Sequence, residues 1–459
     1  MTDSLVRCVN SIDVIVQWNN VLLEAIRKTG GAPTIISRVA AMMHLAMFES
    51  VNIVVQKYYS YPNICLTHIH IPQYISTETA VCYAAYRVLL TSYPAQASLI
   101  EEALRAALSL IKDDQVSKDN GKALGESIAK AVLDCRANDG SSACMSSRIG
   151  NRPGDWRSTN GASAVTPEWL NVRPFTMERG NQFRPPFPGN YANQVELLRS
   201  PEYAAQLQEV QIYGSKDSKI RTTEQTEIAF FWANDLDGTY KPPGHLFRMT
   251  QIVSKLRNLS LVENARLFAL VAIAMADAAI VAWDAKYAED YINLWRPVSG
   301  VQLADTDGNL VTREDRNWTP LSVDPKTGVH FTPPFPAYVS GHATFGAVHA
   351  GIMRNYFGTD NVTFELDSDD PSVPYVKRRF NSFSAAALEN GRSRVYLGVH
   401  YQWDADHGYD SGTKLADFIS AHFLLPIDHH CNHHEVSNGH SDSGHSDSVH
   451  HAAASLVNA

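Results

Sequence analysis

Residues 260–287 read SLVENARLFALVAIAMADAAIVAWDAKY, and this stretch decides the fold class. Ser260 and Glu263 stand three apart ahead of an apolar run, the capping-box pattern with which an α-helix starts. The run from 267 to 283 is the most apolar of the chain, but Asp277 interrupts it, so it reads as a buried core helix rather than a membrane span. A carboxylate there needs a hydrogen-bonding or cationic partner if it is buried.

Working outward, apolar residues at three- and four-residue spacings predict helices over 18–27, 33–58, 77–112 and 121–136 upstream, and over 197–212, 222–234, 244–257, 260–287, 341–357, 376–393 and 403–424. Strand-like stretches near 64–71 and 362–366 are too few to make a sheet. The expected organisation is an N-terminal helical bundle (1–138), a long irregular loop (139–195), a C-terminal helical bundle (196–427) and a tail (428–459). The loop, rich in Gly, Pro and Arg with Trp156 and Trp169, either walls a substrate entrance or wraps between two bundles. In the tail the composition changes. Eight of the 18 histidines fall there, a tract that cannot bury a core, reads as disordered and could bind divalent metal only adventitiously.

At 459 residues the chain can bury a sizeable core. Hydrophobic content of 44% and charged content of 19% fit a globular protein. A net charge of −9 without a basic run argues against nucleic acid as a partner. The N-terminus lacks a charged stretch followed by an uninterrupted apolar region, so no signal peptide is expected and the cytoplasm is the default location, with secretion left open. Six cysteines form no CxxC; reduced thiols are expected, although Cys135 and Cys144 could pair. His68 and His70 alternate with Ile69 and Ile71 as a strand could present a ligand pair, but no acidic or cysteine partners stand at ligand spacing.

The chemistry-bearing residues lie in the C-terminal part. Lys286, Arg296 and Arg394 are cations suited to a highly charged anion, Arg by its planar fork and Lys by a point charge. Ser340-Gly341-His342 follows Pro333, Pro334 and Pro336 and precedes a helical pattern, so it opens a helix. Free amides there and the positive dipole end favour an anion, and Gly341 permits close approach. Ser340 either adds a hydroxyl to that site or serves only as the helix N-cap. His400 and Asp404 stand four apart on one helical face, where a carboxylate holding one imidazole nitrogen leaves the other free as nucleophile or metal ligand. His349, seven after His342, supports the pocket or packs in the core.

Lys286 with Arg296-Pro297, Ser340-Gly341-His342, and Ser393-Arg394 with His400 and Asp404 resemble the three blocks of the vanadium-dependent haloperoxidases and the related phosphatidic-acid-phosphatase-type enzymes. Residues 223–235, 263–270 and 277–287 resemble the soluble haloperoxidase branch, and the likeness extends from about 170 to 425. The resemblance implies an all-α fold of two four-helix-bundle-like halves and vanadate as cofactor. His400 would be the axial vanadium ligand, and Lys286, Arg296, Ser340, Gly341 and Arg394 would bind the equatorial oxygens. His342 would be the acid/base, and Asp404 would orient His400. Hydrogen peroxide, a halide and a small organic acceptor would be the partners, and a homo-oligomer stays open. A soluble acid phosphatase hydrolysing phosphate monoesters through a phosphohistidine at the same site is the alternative.

Two departures stand out. Nine residues separate Lys286 from Arg296, three more than the family pattern, which rotates a helix by about 300° and requires a bulge or loop to absorb them. Val339 stands where the family usually has Pro. Phe335 has the aromatic character of chloride-oxidising relatives, and with Trp283 it could line a halide pocket or belong to the core.

Overall fold

The computed structural model describes residues 13–427, apart from 148 and 160. Ahead of the long loop come α1 (Val14–Thr29), α2 (Pro33–Val55), α3 (Thr77–Ser92), α4 (Ala97–Leu110) and α5 (Gln115–Arg136). After it come α6 (Gln194–Arg199), α7 (Pro201–Tyr213), α8 (Thr223–Phe231), α9 (Lys241–Leu256), α10 (Leu261–Tyr287) and α11 (Pro297–Gln302). The last elements are α12 (Gly341–Phe357), β1 (Phe364–Asp367), β2 (Lys377–Phe380), α13 (Phe383–Tyr396) and α14 (Gln402–His422). The protein is all-α apart from the β1–β2 ribbon. The histidine-rich tail, Cys8 and Cys431 lie outside the described residues.

Helix α10 is the common support. Its start is the Ser260–Glu263 capping box, and it packs against both α2 and α12. Helix α2 in turn carries α3 and α5, while α12 carries α13 and α14. By length and composition both α2 and α10 could cross a bilayer, yet 78% and 94% of their apolar windows are buried inside the protein, so their apolar surface is spent on neighbouring helices. Asp277, fully buried in mid-α10, accepts hydrogen bonds from the amides of Phe175 (2.6 Å), Thr176 (2.7 Å) and Met177 (3.2 Å). Its partner is therefore the backbone of the long loop, which it fastens to the core helix.

Helices α12 and α14 cross closely. A Cβ at Gly412 would lie 2.6 Å from the Thr344 carbonyl, so only glycine allows the contact, and the Ser340 amide donates to the Asp404 carbonyl across the same crossing (2.9 Å). The start of one helix is thereby held against the start of the other.

Several expected elements differ. The helix expected over 77–112 is two, because Pro94 opens a short 3-10 turn between α3 and α4. That over 197–212 breaks at Ser200-Pro201, where Ser200 caps α7. Residues 377–380, within the helix expected over 376–393, form β2, which pairs antiparallel with β1 from Phe364↔Phe380 to Asp367↔Lys377; cross-strand pairing overrides local propensity. Residues 64–71 form turns with His68 and His70 exposed, not a strand. Cys135 and Cys144 are free thiols. His349 is core: fully buried, its Nε2 lies 2.8 Å from the Thr250 hydroxyl.

Candidate active site

The start of α12 forms the floor of the site. Ser340 is its N-cap, accepting from the Ala343 amide at 3.4 Å, and is fully buried. The first amides of a helix have no intrahelical acceptor. Above Gly341 the space is open enough that a Cβ would meet only Trp283 Cζ3 at 3.7 Å and Phe345 Cε2 at 3.9 Å. A cavity of about 340 Å³ lies there, lined among others by Trp283, Phe335, Gly341, His342, Arg394 and His400.

The turn after α13 and the start of α14 supply His400 and Asp404. Asp404 Oδ2 lies 2.8 Å from His400 Nδ1. A carboxylate only accepts, so Nδ1 carries the hydrogen and Nε2 the lone pair; His400 sits in the turn before α14, so the pair does not share the helical face expected, and Asp404 at the first turn of α14 reaches back to it. Arg296 Nη1 lies 2.9 Å from that Nε2 and also donates to the Val399 carbonyl (2.8 Å), while its Nε donates to the Phe335 carbonyl (2.8 Å). Arg394, from the last turn of α13, donates through Nη2 to Asp235 Oδ2 at 2.7 Å. His342 Nε2 lies 3.1 Å from the Ala233 carbonyl, which puts its hydrogen on Nε2 and its lone pair on Nδ1.

Lys286 reaches the site region. Helix α10 ends at Tyr287, so the additional residues before Arg296 fall in the following turn and no helical rotation results. Its ammonium donates to the carbonyls of Pro336 (2.8 Å), Ala337 (3.1 Å) and Val339. All three hydrogens are engaged by the segment leading into Ser340.

Charge and burial set the protonation states. Burial, reinforced by Arg394 and opposed by Asp235, pushes the His342 imidazole down to about 3. Burial, then Arg296, Lys286 and Arg394, holds His400 far below its ordinary value. Burial likewise lowers Lys286 strongly and brings Arg296 down to about 9. Asp404 is pushed up to about 7 by burial, against the pull of Lys286 and Arg296. Burial is the largest cause of every one of these shifts, and the crowded cations add to it at the two imidazoles, Lys286 and Arg296 but oppose it at Asp404.

Asp235, just beyond α8, escaped the sequence reading. It lines the cavity, and burial raises its carboxyl less than Arg394 and His342 lower it. Nearby Lys241 pairs with Asp237 at 2.8 Å and also lines the cavity. A lone Asp 159 residues from its Arg partner has no spacing signature.

A family model described as the VCPO second helical-bundle domain matches residues 266–428. The vanadium chloroperoxidase of Curvularia inaequalis is 32% identical over 236 residues, an alignment covering 41% of this chain and 37% of that protein. The chain thus spans a little over a third of that curated relative's length. A solved bacterial vanadium-dependent iodoperoxidase superposes with a TM-score of 0.76 at 25% identity, covering 92% of this chain and 99% of that one. The chain has the vanadium haloperoxidase fold, and residues 266–428 carry the match to that family's second helical-bundle domain. A bacterial vanadium-dependent chloroperoxidase in its holo form shares the vanadium haloperoxidase fold at a TM-score of 0.68 and 15% identity, over 91% of this chain and 97% of that one.

The residues fit the oxyanion that vanadium haloperoxidases are named for. Among the described residues, Arg296 Nη2 and Arg394 Nε and Nη1 are buried without hydrogen-bond partners. Buried guanidinium donors are costly to leave unpaired, and three of them on the two arginines beside His400 and Gly341 suit a tetrahedral oxyanion. Among the described residues no cluster of three His, Cys, Asp or Glu side chains could hold a metal cation.

Proposed function

We propose that this protein is a vanadate-dependent haloperoxidase, oxidising halide with hydrogen peroxide and transferring the halogen to an organic acceptor. The observation that carries the reading is the set of unpartnered buried donors on Arg296 and Arg394, beside the lone pair of His400, which lines the cavity. The names of the relatives favour peroxidase over phosphatase chemistry.

His400 Nε2 would bind the vanadium through its lone pair, with Asp404 fixing the tautomer. Arg296, Arg394 and the Gly341 amide would hold its oxygens. Ser340 contributes the N-cap, and Lys286 acts through the 336–339 segment whose carbonyls it gathers. When bound, vanadate supplies Lewis acidity that polarises the O–O bond of peroxide without changing oxidation state. His342 takes and returns the proton at Nδ1, its basicity rising once an anion offsets the surrounding cations. Trp283 and Phe335, with ring centroids 5.0 Å apart, wall off water where a weakly hydrated halide would approach.

The test is incubation with vanadate, peroxide and bromide, and separately with an aryl phosphate. Halogenation that disappears as phosphate displaces vanadate supports the reading. Phosphate release that vanadate blocks, without halogenation, overturns it in favour of a phosphatase.

A further inference from the structure

Outside the anion site, two cysteines share one pocket. Cys65 lies in the turns and bends that join α2 to α3, and its thiol is exposed. Cys135 stands in the last turn of α5, free and half-buried. Both line a surface pocket of about 500 Å³, together with Asn63, His68 and Arg173. Cys144, the nearer cysteine to Cys135 in sequence, lies outside that lining.

The Cys135 thiol donates to the Asn63 carbonyl at 3.1 Å, and a single residue separates that carbonyl from Cys65. With about 3.8 Å between successive Cα atoms, the Cys65 Cα is under about 7 Å from the same oxygen. Bringing the two sulfurs together therefore asks a turn to shift, not a helix. Arg173 holds the other side, its Nη2 donating to the Cys135 carbonyl and lying 3.7 Å from the Cys135 sulfur. The Cys65 sulfur lies 3.3 Å from the Thr67 hydroxyl, and hydrogen bonds from the Thr67 side chain and amide hold the Cys65 thiol below its ordinary value. Cys65 thus offers an accessible thiolate, the form that reacts with peroxide.

We propose that Cys65 and Cys135 are a modification site, which hydrogen peroxide converts to a reversible disulfide stapling the α2–α3 connection to the end of α5. The Cys65 thiolate attacks one peroxide oxygen: a sulfur–oxygen bond forms, the O–O bond breaks, and the departing hydroxide takes up the proton the thiol lost, giving water. The Cys135 thiolate then attacks the sulfur of this sulfenic acid. A sulfur–sulfur bond forms as the sulfur–oxygen bond breaks, and the second hydroxide leaves as water with the Cys135 proton. Two electrons pass from the thiols to peroxide, and neither vanadate nor halide takes part. The staple adjoins the anchor of the long loop: Tyr61 and Asn63 both donate to the Phe175 carbonyl, and the Phe175 amide donates to Asp277 on α10. Earlier in the same loop Val165 accepts from Trp283 Nε1 at 3.1 Å and lines the anion cavity. Peroxide thereby tightens the connection on which a wall of that cavity rests.

The test treats the reduced full chain with hydrogen peroxide, omitting vanadate and halide so that no hypohalous species forms. Remaining thiols are then alkylated, and the digest is mapped by mass spectrometry without reductant. A Cys65–Cys135 linked peptide pair that disappears on adding dithiothreitol is expected, with a melting temperature several degrees above that of the reduced protein. Both cysteines staying open to alkylation, Cys135 joined to Cys144 instead, or a link that leaves the melting temperature unchanged overturns the proposal. Two variants test the order of attack. Cys135→Ser should stop at a Cys65 sulfenic acid captured by dimedone, and Cys65→Ser, a change at an exposed side chain, should slow peroxide oxidation of Cys135 by about tenfold or more. Oxidation of Cys135 at the parent's rate in Cys65→Ser overturns the proposal too. Since halide is absent from every arm, failure here leaves the haloperoxidase reading untouched.

Discussion

Arg296 Nη1 lies 2.9 Å from His400 Nε2, so in the anion-free protein a guanidinium hydrogen caps the lone pair that a bound oxyanion would need. The contact requires a neutral imidazole, consistent with the strong lowering of His400 by burial and the surrounding cations. Under the proposed reading, an anion would exchange this hydrogen bond for one from Arg296 to an anion oxygen and free Nε2. The site is thus preset in tautomer by Asp404, with the Nε2 lone pair facing Arg296.

His400→Ala is expected to abolish both turnover and vanadate retention, measured by equilibrium dialysis with vanadium content as readout. His342→Ala should spare retention more than turnover, because its role is at the proton. Equal loss of both in His342→Ala would make that residue structural, and undiminished activity in His400→Ala would refute the ligand assignment.

Asp235→Ala is expected to release Arg394, whose other nitrogens have no hydrogen-bond partner among the described residues. An anion would then have to order that side chain itself, losing roughly one charge-assisted bond, about 1.5–3 kcal/mol or ten- to a hundredfold in affinity. Phosphate titration by calorimetry checks this. Unchanged affinity would mean that packing alone holds Arg394 in place.

Acid sensitivity follows from the buried imidazoles. His44, His342 and His349 are pushed down to about 3 and His245 to about 4, in each case chiefly by burial. The unfolded chain takes up these protons near the ordinary value of 6.5, the folded one only well below it. Stability is therefore intact above about 6.5 and falls as the pH drops towards 3, by up to about 1.4 kcal/mol per pH unit for each group. Asp404, raised to about 7, works in the opposite direction, its penalty on folding growing as the pH rises from the ordinary carboxylate range towards 7. Thermal melts between pH 7.5 and 4.5 should show the net fall. His44, stacked on Phe247 and Phe268 with neither nitrogen bonded among the described residues, offers a control: His44→Leu should raise the melting temperature, more at pH 5 than at pH 7.

The site was legible where chemistry imposes short-range order. Arg394, His400 and Asp404 fall within eleven residues, and Ser340-Gly341-His342 announces itself at a helix start. Asp235 was invisible because its partner is distant in sequence, and the partners of Asp277 are backbone amides, which have no side-chain signature. Residues 377–380 misled because their helical appearance is overridden by pairing with β1. The spacing of Lys286 from Arg296 looked troubling only on the premise that α10 continues; where a helix ends is a tertiary fact that periodicity locates poorly.

Gly341→Ala separates binding from stability most cleanly. The added methyl would meet Trp283 Cζ3 at 3.7 Å and Phe345 Cε2 at 3.9 Å, ordinary van der Waals contacts that require no movement. Replacing glycine in the first turn of α12 also restricts the unfolded chain, worth about 0.4–1 kcal/mol in favour of folding. The same methyl projects into the cavity beside the amide that would face the anion, and lengthens or blocks that approach. The anion-free variant should therefore melt no lower than the parent, while its affinity for phosphate and vanadate falls at least tenfold, read by calorimetry beside the melts. A variant that binds phosphate as tightly as the parent would remove Gly341 from the cradle and leave the two arginines with His400 to hold the anion unaided.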